Sequence, residues 1–364
     1  MTWARMIMKR ILHPKKWVLS AISLVSYTTL ILIFVYGKTE SVLAYPIYCM
    51  SAYSLVAFGV AVPNVIRKTA QHLQKSRLMR WVLSSKIADR YISDVADGEY
   101  KGLTLNEYIE KAGKGVLGKN CERFENFPIL IKLIDAKDNL SVQVHPDNEY
   151  AMRVEGEYGK TEMWYVVDCD EGATLLYGFK HEITKEEFAR RIADNTLLEV
   201  TNAVPVKKGD VFFIKSGTLH AIGKGILIAE IQQNSNTTYR IYDYGRVGKD
   251  GKPRELHVDK ALDVTKLAPA EQYPETPVEK KDGYDIKLLS KCEYFTTYRV
   301  NVETKAELDA DENSFNSILV LEGEPVISGG ETVSAKKGES VFISAGTGKY
   351  TVEGKCTFVL TKID

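Results

Sequence analysis

One stretch of this chain is written twice. Gly209-Asp-Val-Phe-Phe-Ile-Lys-Ser-Gly217-Thr-Leu-His220 returns as Gly338-Glu-Ser-Val-Phe-Ile-Ser-Ala-Gly346-Thr-Gly-Lys349, at identical spacing. Each copy reads as a turn glycine, an acid, an apolar strand and a second glycine turn. A duplicated strand unit of this kind implies two sheet-built bodies of one design. The text around the copies agrees. Ile129–Ile134, Met163–Val167, Val211–Ile214, Ile226–Ile231, Ser317–Leu321 and Thr357–Leu360 are short β-runs bounded by turn residues. Many short strands of this kind suit a sandwich or a closed barrel. Helical pattern is sparse. Lys185 to Ala193 is the clearest case, with Thr184 as its N-cap ahead of Glu187, and Leu105 to Lys111 is a shorter one. A segment rich in Pro, Glu and Lys, 269–282, separates the two bodies.

The two copies differ at their last position, where His220 faces Lys349. That difference directs attention to the first body. Strand alternation places Ser141, Gln143 and His145 on one face and Val142 and Val144 on the other. The same parity aligns Lys160, Glu162 and Trp164, and His220 follows on a third strand. Two neutral imidazoles, a carboxylate and an amide oxygen make a mixed N/O donor set suited to Zn²⁺ or a similar divalent ion. A single histidine is more often structural than ligating; it is the joint placement of these four residues that argues for a metal. Q-x-H, a glutamate 17 residues on, and then G-x₇-G-x-x-H resemble the two cupin motifs, with Gln143 in place of the first histidine. Lys215 stands where that pattern usually has proline, which alters a turn and not a ligand. The fold this implies is mainly β: two cupin-like (jelly-roll) barrels with a few short helices, the first binding metal and the second not.

Glu230 shares a strand face with Ile226, Ile228 and Gln232, and Arg240 follows ten residues later. Their spacing alone also permits a plain ion pair at a barrel mouth. His257, in Arg254-Glu-Leu-His257, is placed to support the site from behind.

The N-terminal 86 residues have a different texture. Trp17 to Tyr36 and Ser41 to Asn64 are uncharged runs of 20 and 24 residues, separated by four residues. Each is long enough to cross a bilayer core as a helix. Arg5, Lys9, Arg10, Lys15 and Lys16 precede them, and Arg67, Lys68, Lys75, Arg77 and Arg80 follow. The positive-inside rule then puts both ends, and all that follows, on the cytoplasmic side. The expectation is an N-terminal transmembrane hairpin through residues 17–64, tethering a cytoplasmic catalytic region to the inner face of the membrane. A cleaved signal peptide fits less well, because a second span follows the first directly.

Charge excludes other classes. The 48 basic and 48 acidic residues cancel, so no global field argues for nucleic acid, and no P-loop or GxGxxG element argues for a nucleotide. Five cysteines without a CxxC pair argue against a disulfide framework or a thiolate metal site.

The residues now resemble a known family. Leu140-Ser-Val-Gln-Val-His-Pro-Asp147, Gly159-Lys-Thr-Glu-Met-Trp-Tyr165, Ser216-Gly-Thr-Leu-His-Ala-Ile222, the run 230–246 and Arg254-Glu-Leu-His257 occur in the order and spacing of a class I mannose-6-phosphate isomerase of the short bacterial type. The likeness runs from about Ile87 to the C-terminus. It implies a zinc-dependent aldose–ketose isomerase, one Zn²⁺ per chain, interconverting mannose 6-phosphate and fructose 6-phosphate through a cis-enediolate. It implies Gln143, His145, Glu162 and His220 as metal ligands and Arg240 as the catalytic arginine. It further implies Glu230 or Lys160 as proton shuttle, with Ser141, Lys160 and Arg240 contacting substrate. Domains follow as 1–86 (hairpin), 87–268 (metal-binding barrel) and 283–364 (second barrel). Family members open with some fifty residues, including a Trp-Gly-Gly segment, that have no counterpart here, so the first barrel is expected to lack strands. Two other functions stay in view: a membrane-tethered sugar-phosphate sensor that keeps the metal site, and a non-haem iron dioxygenase, which leaves Lys160 and Arg240 unexplained.

Overall fold

A computed structural model describes residues 80–83, 94–95, 100–247 and 251–364. The expected hairpin at 17–64 lies outside the described residues. Among those described, no helix is long and apolar enough to cross a membrane.

Residues from Leu78 onward form one compact unit. It holds two β-bodies, each of two sheets. In the first, one sheet runs β1 (Arg80–Leu83), β2 (Ile129–Ala136), β9 (Ile226–Gln233), β4 (Glu162–Cys169) and β7 (Val211–Ile214), in that spatial order. The facing sheet runs β10 (Tyr239–Tyr242), β3 (Val142–Val144), β8 (His220–Ala221), β5 (Thr174–Phe179) and β6 (Thr201–Pro205). The second body has a sheet of β11 (Val278–Lys281), β12 (Tyr284–Lys291), β13 (Thr296–Val302), β20 (Cys356–Lys362), β15 (Asn316–Gly323) and β18 (Ser340–Ile343). Its other sheet is β14 (Lys305–Ala310), β19 (Gly348–Glu353), β16 (Val326–Gly329) and β17 (Glu331–Ser334). The duplicated segment supplies corresponding strands: β7 closes one large sheet and β18 the other.

Two details differ from the sequence reading. A strand ahead of Ile87 pairs antiparallel with β2, Arg80 opposite Leu133, so the first body gains an edge strand from a segment read as a basic flank. The separating segment also ends in structure, since Val278–Lys281 pairs with β12.

Parity decides the packing. Val142 and Val144, fully buried, join Ile241, Phe179 and Phe188 in a cluster that packs outside the smaller sheet against the helices Lys185–Ala193 and Val258–Val264. Thr184 caps the first of these helices, its hydroxyl accepting from the Glu187 N–H at 3.1 Å. A Thr184→Ala change there costs about 1 kcal/mol. On the larger sheet, Ile129, Ile131, Met163 and Ile231 face outward and meet Phe295, Phe315, Leu319 and Val359 of the second body. The alternate residues of those same strands point between the two sheets. One end of that interior is apolar, built on Trp164, Val166, Ile222 and Ile228. The other end is charged.

Candidate metal centre and active site

Three neighbouring strands of the larger sheet put the charge there. Their registers set Lys132, Glu230 and Trp164 in one row and Leu130, Gln232 and Glu162 in the next. The facing sheet contributes a row of Arg240, Gln143 and His220 from β10, β3 and β8. His145 follows on the same face as Gln143. His145, Glu162 and His220 each offer a ligand atom, and these atoms lie within 4.8 Å of one another. All three side chains are essentially shut off from solvent.

The histidines are held in the form that binds metal. His145 Nδ1 stands 2.9 Å from the Thr237 carbonyl and His220 Nδ1 2.8 Å from that of Thr218. A carbonyl can only accept, so each Nδ1 carries the proton and each Nε2 keeps its lone pair. Burial, reinforced by Lys160, pushes His145 down to about 3. Burial lowers His220 too. Both rings therefore stay neutral near pH 7.

Glu162 is the anionic member. Burial opposes its charge, but Lys160 and His145 outweigh it and hold the carboxyl well below its ordinary range. Its Oε1 lies 2.7 Å from Lys160 Nζ and 3.0 Å from His145 Nε2. Oε2 accepts from Trp164 Nε1 at 2.8 Å. His145 Nε2 is buried and has no hydrogen-bond donor facing it. Such an orphan is costly unless something else satisfies it, and a cation between that lone pair and the Glu162 carboxylate would do so. Gln143 Nε2 sits 3.3 Å from His220 Nε2; a half-turn of its amide presents oxygen in the same place. The donor set fits a divalent ion.

Glu230 does not pair with Arg240. Its Oε1 lies 2.8 Å from Lys132 Nζ, and Oε2 accepts from Trp164 at 3.0 Å. Burial, with Glu162 adding to it, raises the Glu230 carboxyl against the pull of Lys132. Lys132 itself is lowered, chiefly by burial. Arg240 instead donates from Nη1 to the Glu255 carbonyl at 2.9 Å, while its backbone N–H meets His257 Nδ1 at 3.2 Å. His257 thus braces the strand that carries Arg240. Close by, the buried Asp243 binds both Arg246 and Arg254, which gathers three guanidinium groups beside β10. Ser141 is buried and shares its parity with Gln143.

The structure brings Gln143, His145, Lys160, Glu162 and His220 together, with Glu230 joined to Glu162 through Trp164. Arg240 shares a row with Gln143, but its guanidinium is engaged by the Glu255 carbonyl and not by these residues. Sequence reasoning missed Lys132, Asp243, Arg246 and Arg254. The signal for Lys132 was a lone lysine in the otherwise apolar run Ile129–Ile134, at the parity of the inward-facing Ile134 and Ala136.

Two antiparallel bodies, one with a buried His/Glu/His cluster between its sheets, define a cupin-like fold with a candidate metal centre. The chain belongs to the type I mannose-6-phosphate isomerase family. The family model for the phosphomannose isomerase type I catalytic domain matches residues 79–172, and that for the mannose-6-phosphate isomerase cupin domain matches residues 285–363. The first match opens ahead of Ile87, in agreement with β1. Mannose-6-phosphate isomerase ManA of Bacillus subtilis is 40% identical over 273 residues, 74% of this chain and 85% of that protein. Mannose-6-phosphate isomerase of Streptococcus mutans is 39% identical over 259 residues, 69% and 78% of the two chains. A crystal structure of the mannose 6-phosphate isomerase from Bacillus subtilis aligns with a TM-score of 0.73 at 36% identity, covering 78% of this chain and 89% of that one. The apo enzyme from Salmonella typhimurium, 16% identical with a TM-score of 0.61, covers 79% and 90% and shares the fold.

Proposed function

We propose that this protein is a zinc-dependent aldose–ketose isomerase that interconverts mannose 6-phosphate and fructose 6-phosphate. The observation that carries this reading is the convergence of His145, Glu162 and His220 in a lumen that also holds Lys160 and Glu230, with the half-buried Arg240 paired in register with Gln143. These three, with Gln143 as fourth donor, would hold a divalent ion, which would supply Lewis acidity toward the substrate's carbonyl. The remaining steps belong to the chain. Isomerisation removes a proton alpha to a carbonyl, and Glu230 is the carboxyl suited to accept it. Glu230 is outside the ligand set, and burial displaces it toward neutrality. Arg240, which keeps its proton near pH 7, stabilises the enediolate charge. Lys160, Ser141, Arg246 and Arg254 are the groups that would orient the substrate and its phosphate.

Residues 87–268 would carry the chemistry and 283–364 would support it. We also read residues 17–64 as a membrane tether, on the strength of two long uncharged runs flanked by basic residues. Alkaline extraction of membranes from expressing cells tests that part, since a tethered chain stays in the pellet.

The chemistry is tested by turnover of mannose 6-phosphate in detergent-purified protein, with and without a chelator. Arg240→Met is expected to lower kcat by about 10²-fold or more while zinc content stays at the wild-type level. Turnover that survives both chelation and Arg240→Met would sink the isomerase reading of this site.

A further inference from the structure

The three residues ahead of Glu162 all commit their backbone N–H groups. Gly159 donates to Asn148 Oδ1 at 2.9 Å, Lys160 to the Pro146 carbonyl at 3.0 Å and Thr161 to Gln233 Oε1 at 2.9 Å. Glycine is required at 159, because a Cβ there would stand 2.3 Å from the backbone of Asp147. Two of the three acceptors are side-chain amides, and they are tied together: Gln233 Nε2 donates to Asn148 Oδ1 at 3.1 Å. The preceding carbonyl, Tyr158 O, accepts from Ser235 and Thr237 hydroxyls at 2.6 and 3.2 Å, and the Thr237 carbonyl is the one that orients His145. One network therefore sets both the His145 ring and the strand entry that aims Glu162.

That network depends on which way round the Asn148 amide sits. Its two ends are nearly the same shape, so surrounding donors and acceptors decide its orientation. Oδ1 faces two donors. Nδ2 needs an acceptor, and it meets the hydroxyl of Tyr294 at 3.2 Å, 146 residues away in sequence. Tyr294 lies in the turn between β12 and β13 of the second body, which has no ligand cluster of its own among the described residues.

We propose that Tyr294 is a positioning residue for the metal centre: the second barrel's hydroxyl holds Asn148 in the orientation that pins Gly159-Lys160-Thr161, and so places Lys160 and Glu162. This rests on reading His145, Glu162 and His220 as ligands. The barrel without a site thereby acts on the barrel that has one.

Tyr294→Phe removes the oxygen and keeps the ring, so the packing between the barrels is preserved. Partners one step behind a ligand typically change metal affinity ~10–100-fold when lost. Tyr294 acts one step further back, and a ~3–10-fold fall in zinc affinity is expected by competition with a chromophoric chelator. Hydrogen exchange at Gly159 and Thr161 in the metal-free protein should quicken by a similar factor. Asn148→Ala should show the larger effect on both readouts, and adding Tyr294→Phe to it should change neither further, as coupled residues require. Unchanged exchange at those two amides in Tyr294→Phe overturns the proposal, whatever happens to thermal stability. Unchanged zinc affinity in a variant whose exchange has quickened overturns it as well. Wild-type protein that binds no zinc would instead sink the ligand reading, while the exchange measurement still decides whether the clamp exists.

Discussion

Laid strand on strand, the two barrels share a frame and differ in its contents. The repeat aligns Ile214 with Ile343, and these residues pair with Glu162 and Asn316 respectively. Following the rows outward, Trp164 corresponds to Ile318, Glu230 to Leu360 and Lys132 to Tyr298. His220 corresponds to the exposed Lys349. Asn316 spends its amide on Tyr350 and the Asp309 carbonyl, at 2.9 and 2.8 Å, and the rest of that lumen is aliphatic and aromatic. The second interior is what this strand plan packs to when stability is the sole demand. The first accepts several buried ions, each carrying a desolvation penalty of several kcal/mol before pairing. That penalty is tolerated because the pairs are close and Trp164 donates to both carboxylates.

Removing a proposed ligand should separate the two interiors most sharply. His145→Ala takes away one of three converging atoms and leaves the Glu162 carboxylate to Lys160 and Trp164. Zinc content should fall from about one per chain to near zero on gel-filtered protein, with affinity down by more than the ~100-fold upper end seen for residues behind a ligand. Full zinc occupancy in that variant, measured by elemental analysis, would show that the ion sits elsewhere and that the first lumen is only a polar core.

The Lys132–Glu230 pair tests the same contrast through stability. Lys132→Met leaves the Glu230 carboxylate buried without its nearest cation and should cost about 3 kcal/mol in denaturant unfolding of the metal-free protein. Adding Glu230→Leu installs the residue that the second barrel carries at this place. The double variant should recover most of the loss, and turnover should remain abolished. If the single variant is as stable as wild type, the pair is not a buried ion pair in solution.

Legibility followed the same division. Gln143, His145, Glu162 and His220 could be read because each problem was local. Alternation around Val142 and Val144 fixed which residues share a face, and the repeat marked His220 as the position where two copies part. Lys132 was harder to read, because a lysine in Ile129–Ala136 looks solvent-facing until a second sheet is known to cover that face. The strand at 80–83 was hidden by basic neighbours that suit a membrane flank. Val278–Lys281, with four exposed residues, carries no alternation, and it is a strand only because β12 offers an edge. The tie between Asn148 and Tyr294 spans two barrels, so no spacing could announce it.

The smallest expected effect lies in pH. His145 is depressed from its ordinary 6.5 to about 3 in the folded, metal-free protein. As pH falls below 6.5 the unfolded chain takes up a proton that the folded one refuses. The unfolded state then binds more protons, so stability declines with falling pH until the folded group also titrates near 3. Above 6.5 the contribution is complete. The slope for one such group approaches about 1.4 kcal/mol per pH unit, or about 2 kcal/mol between pH 7 and pH 5. Glu230, shifted the opposite way, gains stability as pH falls, so the total curve is mixed. The histidine is isolated by comparing wild type with His145→Gln, where the Glu230 contribution largely cancels. The wild type should lose about 2 kcal/mol more than the variant over that range, read from urea midpoints without metal. The second lumen, lined by Ile318, Leu360 and Tyr350, has nothing that titrates in this window. Parallel curves for the two proteins would mean that His145 is hydrated rather than shut between the sheets, and the contrast between a charged dry lumen and an apolar one would fail at its central residue.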